Sequence, residues 1–309
     1  MTRKLAYLGP VGTFTESALR KMPASAGAEL VAAQSVGAAL DMVRNGEVAG
    51  ALVPIENSVE GSVAATLDEL THGDVLEIVD EIAIPVEFGL LVRPGTKMSD
   101  IKRIATHPHA HAQCLEWLRT NLPGVHVLPA MSTAAAAAEL AAGANYDAAI
   151  CSTAAATHYG LEILQDGIGD SDAAWTRFVL ARKPGHTQPS SGHDKTTLAL
   201  FIHNDHPGAL LEILSEFAKH NVNLTRIESR PTKKQLGDYI FSIDCEGHIN
   251  DEQVGEALKG VRRICADVKF LGSYPRHNGG MMTLSAQTSS DEKVDVEEWL
   301  AHVRQHVSD

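Results

Sequence analysis

The stretch Val75-Leu-Glu-Ile-Val-Asp-Glu-Ile-Ala-Ile-Pro85-Val-Glu-Phe-Gly-Leu-Leu-Val92 decides the architecture. It holds two long runs rich in β-forming residues that meet near Pro85, with no helical pattern between them. On both sides of it, short apolar runs alternate with helical patterns. That alternation is the signature of an α/β sheet with helices packed on it. The stretch is therefore expected to be a crossover that leaves one α/β lobe for a second.

Upstream, Leu5 to Leu8 has the character of a buried strand, and Thr13-Phe14-Thr15-Glu16 fits a capping box opening a helix through about Met22. Ser35 caps a second helix with Ala39, Leu40 and Val43 on one face. Ala49 to Pro54 is the next strand, and Ser62 starts another helix through Leu67 and Leu70. Downstream, Arg103 to His107 is a strand, followed by a helix with Leu115, Leu118 and Leu122 on one face. Val125 to Leu128 is a strand, Thr133 to Ala142 an alanine-rich helix, and Asp147 to Cys151 a strand. Thr176 to Arg182 returns as a late strand. Residues 1–183 thus predict two α/β lobes sharing a cleft, where ligands sit at strand C-termini and helix N-termini.

Residues 184–195 carry Pro184, Gly185, Pro189, Ser190, Ser191 and Gly192, a linker composition. Beyond it the pattern changes to strand (Thr196–His203), helix (Gly208–His220, with Leu210, Leu214 and Phe217 on one stripe), and a hairpin (Leu224–Ser229 with Tyr239–Cys245, joined by Thr232–Gly237). A helix (Asp251–Cys265, with Val254, Leu258, Val261 and Cys265 in phase) and a strand (Val268–Tyr274) complete it. This is a ferredoxin-like βαββαβ unit over residues 196–276. Residues 277–309 form a polar, acidic tail. Its Val294, Val296, Trp299, Leu300 and Val303 suit either one amphipathic helix or a disordered segment.

Composition limits the function. The 309 residues include 44 % hydrophobic and 21 % charged side chains, which fits a globular protein of about two domains. Lys and Arg number 26 against 39 Asp and Glu, for a formal charge of −13, which argues against nucleic acid or an anionic membrane as the main partner. Cys114, Cys151, Cys245 and Cys265 show no C-x-x-C spacing, and the N-terminal residues lack a signal-peptide pattern. The expectation is a cytoplasmic protein with reduced thiols.

Five segments could carry chemistry. The turn Gly9-Pro-Val-Gly12 with Thr13 and Thr15 is either an ordinary capped turn or an anion cradle. Pro54-Ile-Glu56-Asn57-Ser58 ends a strand with a dense polar cluster. Thr106-His-Pro-His-Ala-His-Ala-Gln113 lies between a strand and a helix. Its His107, His109 and His111 suggest a metal, but no nearby carboxylate completes a set and Pro108 interrupts the segment, so no metal is expected. Ser132-Thr133 caps the alanine-rich helix. In Trp175-Thr-Arg-Phe178, an arginine embedded beside a hydroxyl is costly without an anionic partner. Together these segments predict a cleft of hydroxyls, amides and helix N-termini with one arginine, suited to a small anion. No dinucleotide or phosphate-loop motif is present, so no cofactor is expected.

The ordered set Gly9-Pro-Val-Gly-Thr-Phe-Thr15, Pro54-Ile-Glu-Asn-Ser58, Thr106-His-Pro and Thr176-Arg177-Phe178 resembles the motifs of the prephenate dehydratase family. The C-terminal unit resembles the ACT regulatory domain fused to such enzymes, with Gly208-Ala-Leu-Leu211 and Glu228-Ser-Arg-Pro231 resembling its phenylalanine-site motifs. The resemblance runs from residue 3 to about 276. It implies an α/β, two-lobed, periplasmic-binding-protein-like catalytic domain followed by a ferredoxin-like ACT domain. It also implies a lyase of phenylalanine biosynthesis that turns prephenate into phenylpyruvate, water and carbon dioxide. L-Phenylalanine would be the allosteric effector, and the chain would form a homodimer or homotetramer.

By the same resemblance Thr176 aids departure of the ring hydroxyl, by hydrogen-bond donation or proton relay. Arg177 either pairs with a substrate carboxylate or buttresses the loop, and Phe178 packs under Thr176. Thr13, Asn57, Ser58, Thr106 and Gln113 would orient the substrate, with Ser132 and Thr133 lining the same cleft. Glu56 either holds Arg177 or is protonated. The effector would meet Gly208, Ala209, Leu210 and Leu211, with Glu228, Ser229, Arg230 and Pro231. This chain departs from the family at Thr106, where serine is common, and at Ala173-Ala174, where asparagines are common. A non-catalytic two-lobed small-molecule sensor carrying an ACT domain is the alternative that the cleft alone allows.

Overall fold

The computed structural model describes residues 2–171, 173–185, 188–202, 206–232 and 239–277. The chain opens with β1 (Lys4–Leu8), α1 (Phe14–Lys21), β2 (Glu29–Ala33), α2 (Val36–Arg44), β3 (Gly50–Asn57), the short β4 (Gly61–Ser62), α3 (Ala64–His72) and β5 (Glu77–Pro85). It crosses into β6 (Gly89–Val92), β7 (Arg103–Thr106), α4 (Pro108–Ala112), α5 (Leu115–Asn121), β8 (His126–Pro129), α6 (Thr133–Ala141), β9 (Ala148–Cys151), α7 (Ala154–Tyr159) and β10 (Glu162–Gln165). It then returns as β11 (Trp175–Arg182). The C-terminal unit is β12 (Asp194–Phe201), α8 (Ala209–Lys219), β13 (Leu224–Pro231), β14 (Tyr239–Glu246), α9 (Glu252–Ile264) and β15 (Asp267–Pro275).

Three sheets form among the described residues. The first has the order β2-β1-β3-β11-β5 with β4 beside β3, and β11 runs antiparallel to both of its neighbours. The second has the order β10-β6-β9-β7-β8, and the third β13-β14-β12-β15. The Pro85 stretch is the outgoing crossover between the first two sheets. The segment before β11 is the return, and the Val86 N–H donates to the Ala174 carbonyl at 2.8 Å where the two pass. Two crossings between two sheets make two lobes with a gap between them, the geometry in which a ligand can be enclosed.

The third sheet is not a loosely tethered unit. Ala199, Ile240, Leu271 and Tyr274 join one apolar core with Leu67, Leu70, Leu76, Ile78, Val179 and Ala181 of the first lobe. Gly272 makes the close approach possible. With φ +138°, a Cβ there would lie 2.1 Å from the Ile78 carbonyl oxygen, so any side chain would force the two strands apart. The helices α8 and α9 cover the opposite face of this sheet with Ile213, Phe217, Val254 and Val261.

Several local expectations are corrected. Asp194 and Lys195, placed in the linker from sequence, are buried residues of β12. Ser62 belongs to β4, and α3 starts after Val63. The buried stripe of α8 is Ala209, Ile213 and Phe217, while Leu210 is exposed. Leu115 is exposed as well. Most of Thr232–Gly237 and the tail with Val294, Val296, Trp299, Leu300 and Val303 lie outside the described residues.

Candidate active site

Neighbouring residues of a strand point to opposite faces, so β11 sends Thr176 one way and Arg177 the other. On the front face, Thr176 pairs in register with Asn57 at the end of β3. The Asn57 Oδ1 accepts from the backbone N–H groups of Val59 and Glu60, both at 2.9 Å. That fixes the amide, so its Nδ2 is the donor to Thr176 Oγ1 at 2.8 Å. The threonine oxygen therefore receives a hydrogen bond and keeps its own proton for another acceptor. Ser58 ties the same turn to β11, accepting from the Trp175 N–H at 2.9 Å and donating to the Ala173 carbonyl at 3.1 Å. Phe178, on the Thr176 side of the strand, is buried among Tyr7, Leu52, Ile82 and Ile84.

Other hydroxyls expected to meet a ligand are committed to the scaffold. Thr13 caps α1 by accepting from Glu16 N–H and donates to the Leu8 carbonyl at 3.1 Å. The Gly12 N–H donates to the Glu16 carboxylate at 2.7 Å, so an internal anion already occupies the turn. The buried Thr106 donates to the Ile150 carbonyl at 2.7 Å. Thr13 and Thr106 thus brace their lobes through bonds to backbone carbonyls. Ser132 caps α6 by accepting from the Ala135 N–H at 2.9 Å, which leaves its own proton available, and Thr133 begins that helix half-buried. The buried Gln113 Oε1 has no protein partner.

The lobes approach each other at few points. Glu60 Oε2, in the turn after Asn57, lies 3.7 Å from His109 Nδ1 on α4. Tyr159 Oη donates to the Val11 carbonyl at 2.7 Å, and the Phe14 and Phe88 rings meet edge to face at 5.7 Å. His107 packs edge-on against His109 at 4.9 Å. Burial first, and then the neighbouring His109, lower the His107 pKa against the pull of Glu60. Glu60 and α4 therefore bound the gap between the lobes.

On the back face, Arg177 does not reach that gap. Its guanidinium contacts Glu56 at 3.1 Å, Glu81 on β5 at 2.9 Å and Asp244 on β14 at 2.6 Å. Strand alternation turns this side chain away from Thr176, and three protein carboxylates hold it. Glu56 is the partner of Arg177, one of the two roles left open for it. Lys195 binds both Glu81 oxygens at 2.9 Å, and Arg226 binds both Asp244 oxygens at 3.0 and 2.9 Å. Burial pushes the Asp244 carboxyl up, but Arg177 and Arg226 outweigh this and hold it far below the ordinary carboxylate range. Glu81 is likewise lowered, Lys195 and Arg177 overcoming its burial. Sequence reasoning missed Glu81, Lys195, Arg226 and Asp244. The available signal was Asp244 itself, a lone carboxylate in the apolar strand Ile243-Asp-Cys245, which demands cations.

In the C-terminal unit, His206, Gly208, Ala209, Leu210, Leu211, Leu214 and Phe241 line a cavity of about 370 Å³ at the start of α8. Exposed Leu210 and Leu211 give it an apolar wall. Glu228 and Arg230 lie elsewhere, on the side of β13 that carries the buried Arg226. Arg230 reaches both oxygens of Asp68 on α3 at 3.1 Å. Within one chain, the stretch Glu228-Ser229-Arg230-Pro231 does not line the Gly208 cavity.

The four cysteines are free and buried. Among the described residues, no helix is long and apolar enough to cross a membrane.

A family model described as prephenate dehydratase matches residues 5–185, and one described as ACT domain matches residues 196–263. A prephenate dehydratase of Amycolatopsis methanolica is 45 % identical over 97 % of this chain and 98 % of its own length. The crystal structure of a prephenate dehydratase from Arthrobacter aurescens in complex with L-Phe superposes with a TM-score of 0.85 at 46 % identity, covering 98 % of this chain and 99 % of that one. A structure described as a novel type of quorum-quenching acylase superposes with a TM-score of 0.79 at 32 % identity, covering 90 % of this chain and 100 % of that one.

Proposed function

Because the chain belongs to the prephenate dehydratase family, we propose that it converts prephenate to phenylpyruvate, carbon dioxide and water, with Thr176 as the group that assists departure of the ring hydroxyl. Prephenate carries two carboxylates and a ring hydroxyl. The ring carboxylate leaves as carbon dioxide, and its bonding pair enters the ring. The displaced pair departs with the hydroxyl, which takes up one proton and leaves as water. The ring becomes aromatic, which drives the reaction. Hydroxide is a poor leaving group, so a donor placed on it lowers the barrier.

The observation that carries this reading is the 2.8 Å bond from Asn57 Nδ2 to Thr176 Oγ1. It polarises the hydroxyl and aims its proton outward. It also separates dehydration from acyl transfer, where a threonine nucleophile needs a neighbour that takes its proton. Here the neighbour gives a hydrogen bond to the oxygen instead. Gln113, Ser132 and Thr133, with the free N–H groups at the start of α6, are the donors we assign to orienting the substrate. Phe178 fixes the direction of Thr176 from beneath. No cofactor enters this scheme.

We divide the chain into a catalytic part, residues 1–183, and a regulatory part, residues 196–276, and place the protein in the cytoplasm. L-Phenylalanine is the effector we assign to the Gly208–Leu211 cavity. The N–H groups at the start of α8 suit its carboxylate, and Leu210 and Leu211 suit its ring. Glu228 to Pro231 complete that site from a second copy, which makes the working form a homodimer or a pair of dimers. The test is direct: purified protein is mixed with prephenate, and phenylpyruvate is followed with and without phenylalanine. Absence of phenylpyruvate rejects the reading. Formation of phenylpyruvate at a rate indifferent to phenylalanine rejects the effector assignment alone.

A further inference from the structure

We propose that Asp244, in the regulatory sheet, is a positioning residue for Thr176: it holds Arg177 from behind the strand that carries the reacting hydroxyl, and through it the regulatory sheet acts on the site. The proposal rests on the dehydratase reading above and adds a route of control to it.

The geometry is a matched pair of bonds on the two faces of one strand pair. On the front, Thr176 of β11 meets Asn57 of β3 at 2.8 Å. On the back, one residue along each strand, Arg177 meets Glu56 at 3.1 Å. The β11–β3 register slips immediately beyond, between Arg177 and Phe178. A ladder irregularity leaves the local strand direction less fixed by backbone bonds and re-aims the side chains beside it. The cluster behind the strand therefore sets how Thr176 faces Asn57.

That cluster is supplied largely by the regulatory unit. Asp244 makes the shortest contact to Arg177, at 2.6 Å, and is itself held by Arg226 and by Thr197 Oγ1 at 2.9 Å. Thr197 in turn meets Tyr274 Oη at 2.6 Å, and Lys195 secures the other Arg177 partner, Glu81. Lys195, Arg177 and Arg226 face Glu56, Glu81 and Asp244, so the cluster is electrically balanced. A shift of β14 by a fraction of an ångström moves a full charge against Arg177. Misplacement of a reacting group by about 1 Å costs on the order of 10²-fold in rate.

The test uses the full-length protein with prephenate. Asp244→Asn removes the charge and keeps the shape. The double variant Asp244→Asn with Arg226→Gln keeps the cluster neutral and guards against a misfolded single variant. Thr197→Val loosens Asp244 without removing it. Lys269→Met is the control, because it weakens the same seam through the Thr71 and Gly73 carbonyls without touching the cluster. The expected result is a kcat lowered about tenfold or more in both Asp244 variants, a smaller loss in Thr197→Val, KM within about twofold, and a blunted response to phenylalanine. Lys269→Met should keep kcat within about twofold.

Three results overturn the proposal. One is wild-type kcat and phenylalanine response in the double variant. Another is a loss in Lys269→Met equal to that in the Asp244 variants. The third is unfolded Asp244 variants together with a Thr197→Val protein that behaves as wild type. Wild-type protein that forms no phenylpyruvate would reject the dehydratase reading and this one with it, whereas an active wild type with unaffected variants rejects only the role of Asp244.

Discussion

The molecule has two seams, and they are built oppositely. The seam between the first lobe and the regulatory sheet is closed by a shared apolar core, by Gly272 against Ile78, and by a buried cluster of three cations and three carboxylates. Among the described residues, the contacts between the two lobes include the Tyr159 hydroxyl bond, the Phe14–Phe88 ring pair and a distant His109–Glu60 pair at 3.7 Å. The contrast teaches how each part is held. The regulatory sheet is tied to the first lobe by a core and by charge, whereas the second lobe meets the first through polar and ring contacts. An effector that shifts the regulatory sheet therefore acts first on the first lobe and its Thr176–Asn57 pair.

The strongest way to break the comparison is to cut the closed seam. Arg177→Met leaves three carboxylates against two cations, and loss of one partner of a buried ion pair costs about 3–5 kcal/mol. A large fall in Tm by calorimetry is expected; an unchanged Tm would mean that the cluster does not hold the seam. Thr176→Ala attacks the other side of the same strand. We expect a kcat about 10²-fold lower with Tm unchanged, read by steady-state kinetics and thermal melting. A variant with near-normal turnover would remove Thr176 from the chemistry.

Acid sharpens the contrast. Asp244 and Glu81 both titrate below their ordinary values in the folded chain. A carboxyl held low in the folded state stabilises it at pH above the unfolded value and loses that contribution as pH falls toward the folded value. Resistance to urea should therefore decline as pH drops below about 4. Asp244→Asn should flatten that decline, and an unaltered acid profile would take Asp244 out of it. The smallest effect belongs to the open seam. Tyr159→Phe removes one hydroxyl bond to Val11, worth about 1 kcal/mol. It should leave Tm nearly unchanged while altering KM for prephenate; a large Tm loss would show that this seam is closed too.

Much of the fold was legible because alternation of apolar runs and capped helices is a local signal. The strand β2 escaped because Glu29-Leu-Val-Ala-Ala33 is a short, half-exposed edge with no continuous buried run. The stripe of α8 slipped by one residue because Leu210 suits a core stripe as well as a cavity wall, and only the tertiary contacts decide. Thr176 and Asn57, which the fold brings into contact, each stand in a motif quoted from the sequence. The direction of Arg177 was legible in principle, since adjacent residues of a strand cannot both face one ligand. What no local pattern carries is the identity of its partners. Asp244 lies 67 residues away on another sheet, and only the folded chain brings it there.

The shared apolar core has a practical consequence. Trimming the chain before β12 to obtain the catalytic part alone would bare Leu76, Ile78, Val179 and Ala181 to water, leaving a sticky, poorly soluble fragment. We expect a changed response to phenylalanine to be better sought by single replacements in the Leu210–Leu211 wall, which leave both halves of the core in place.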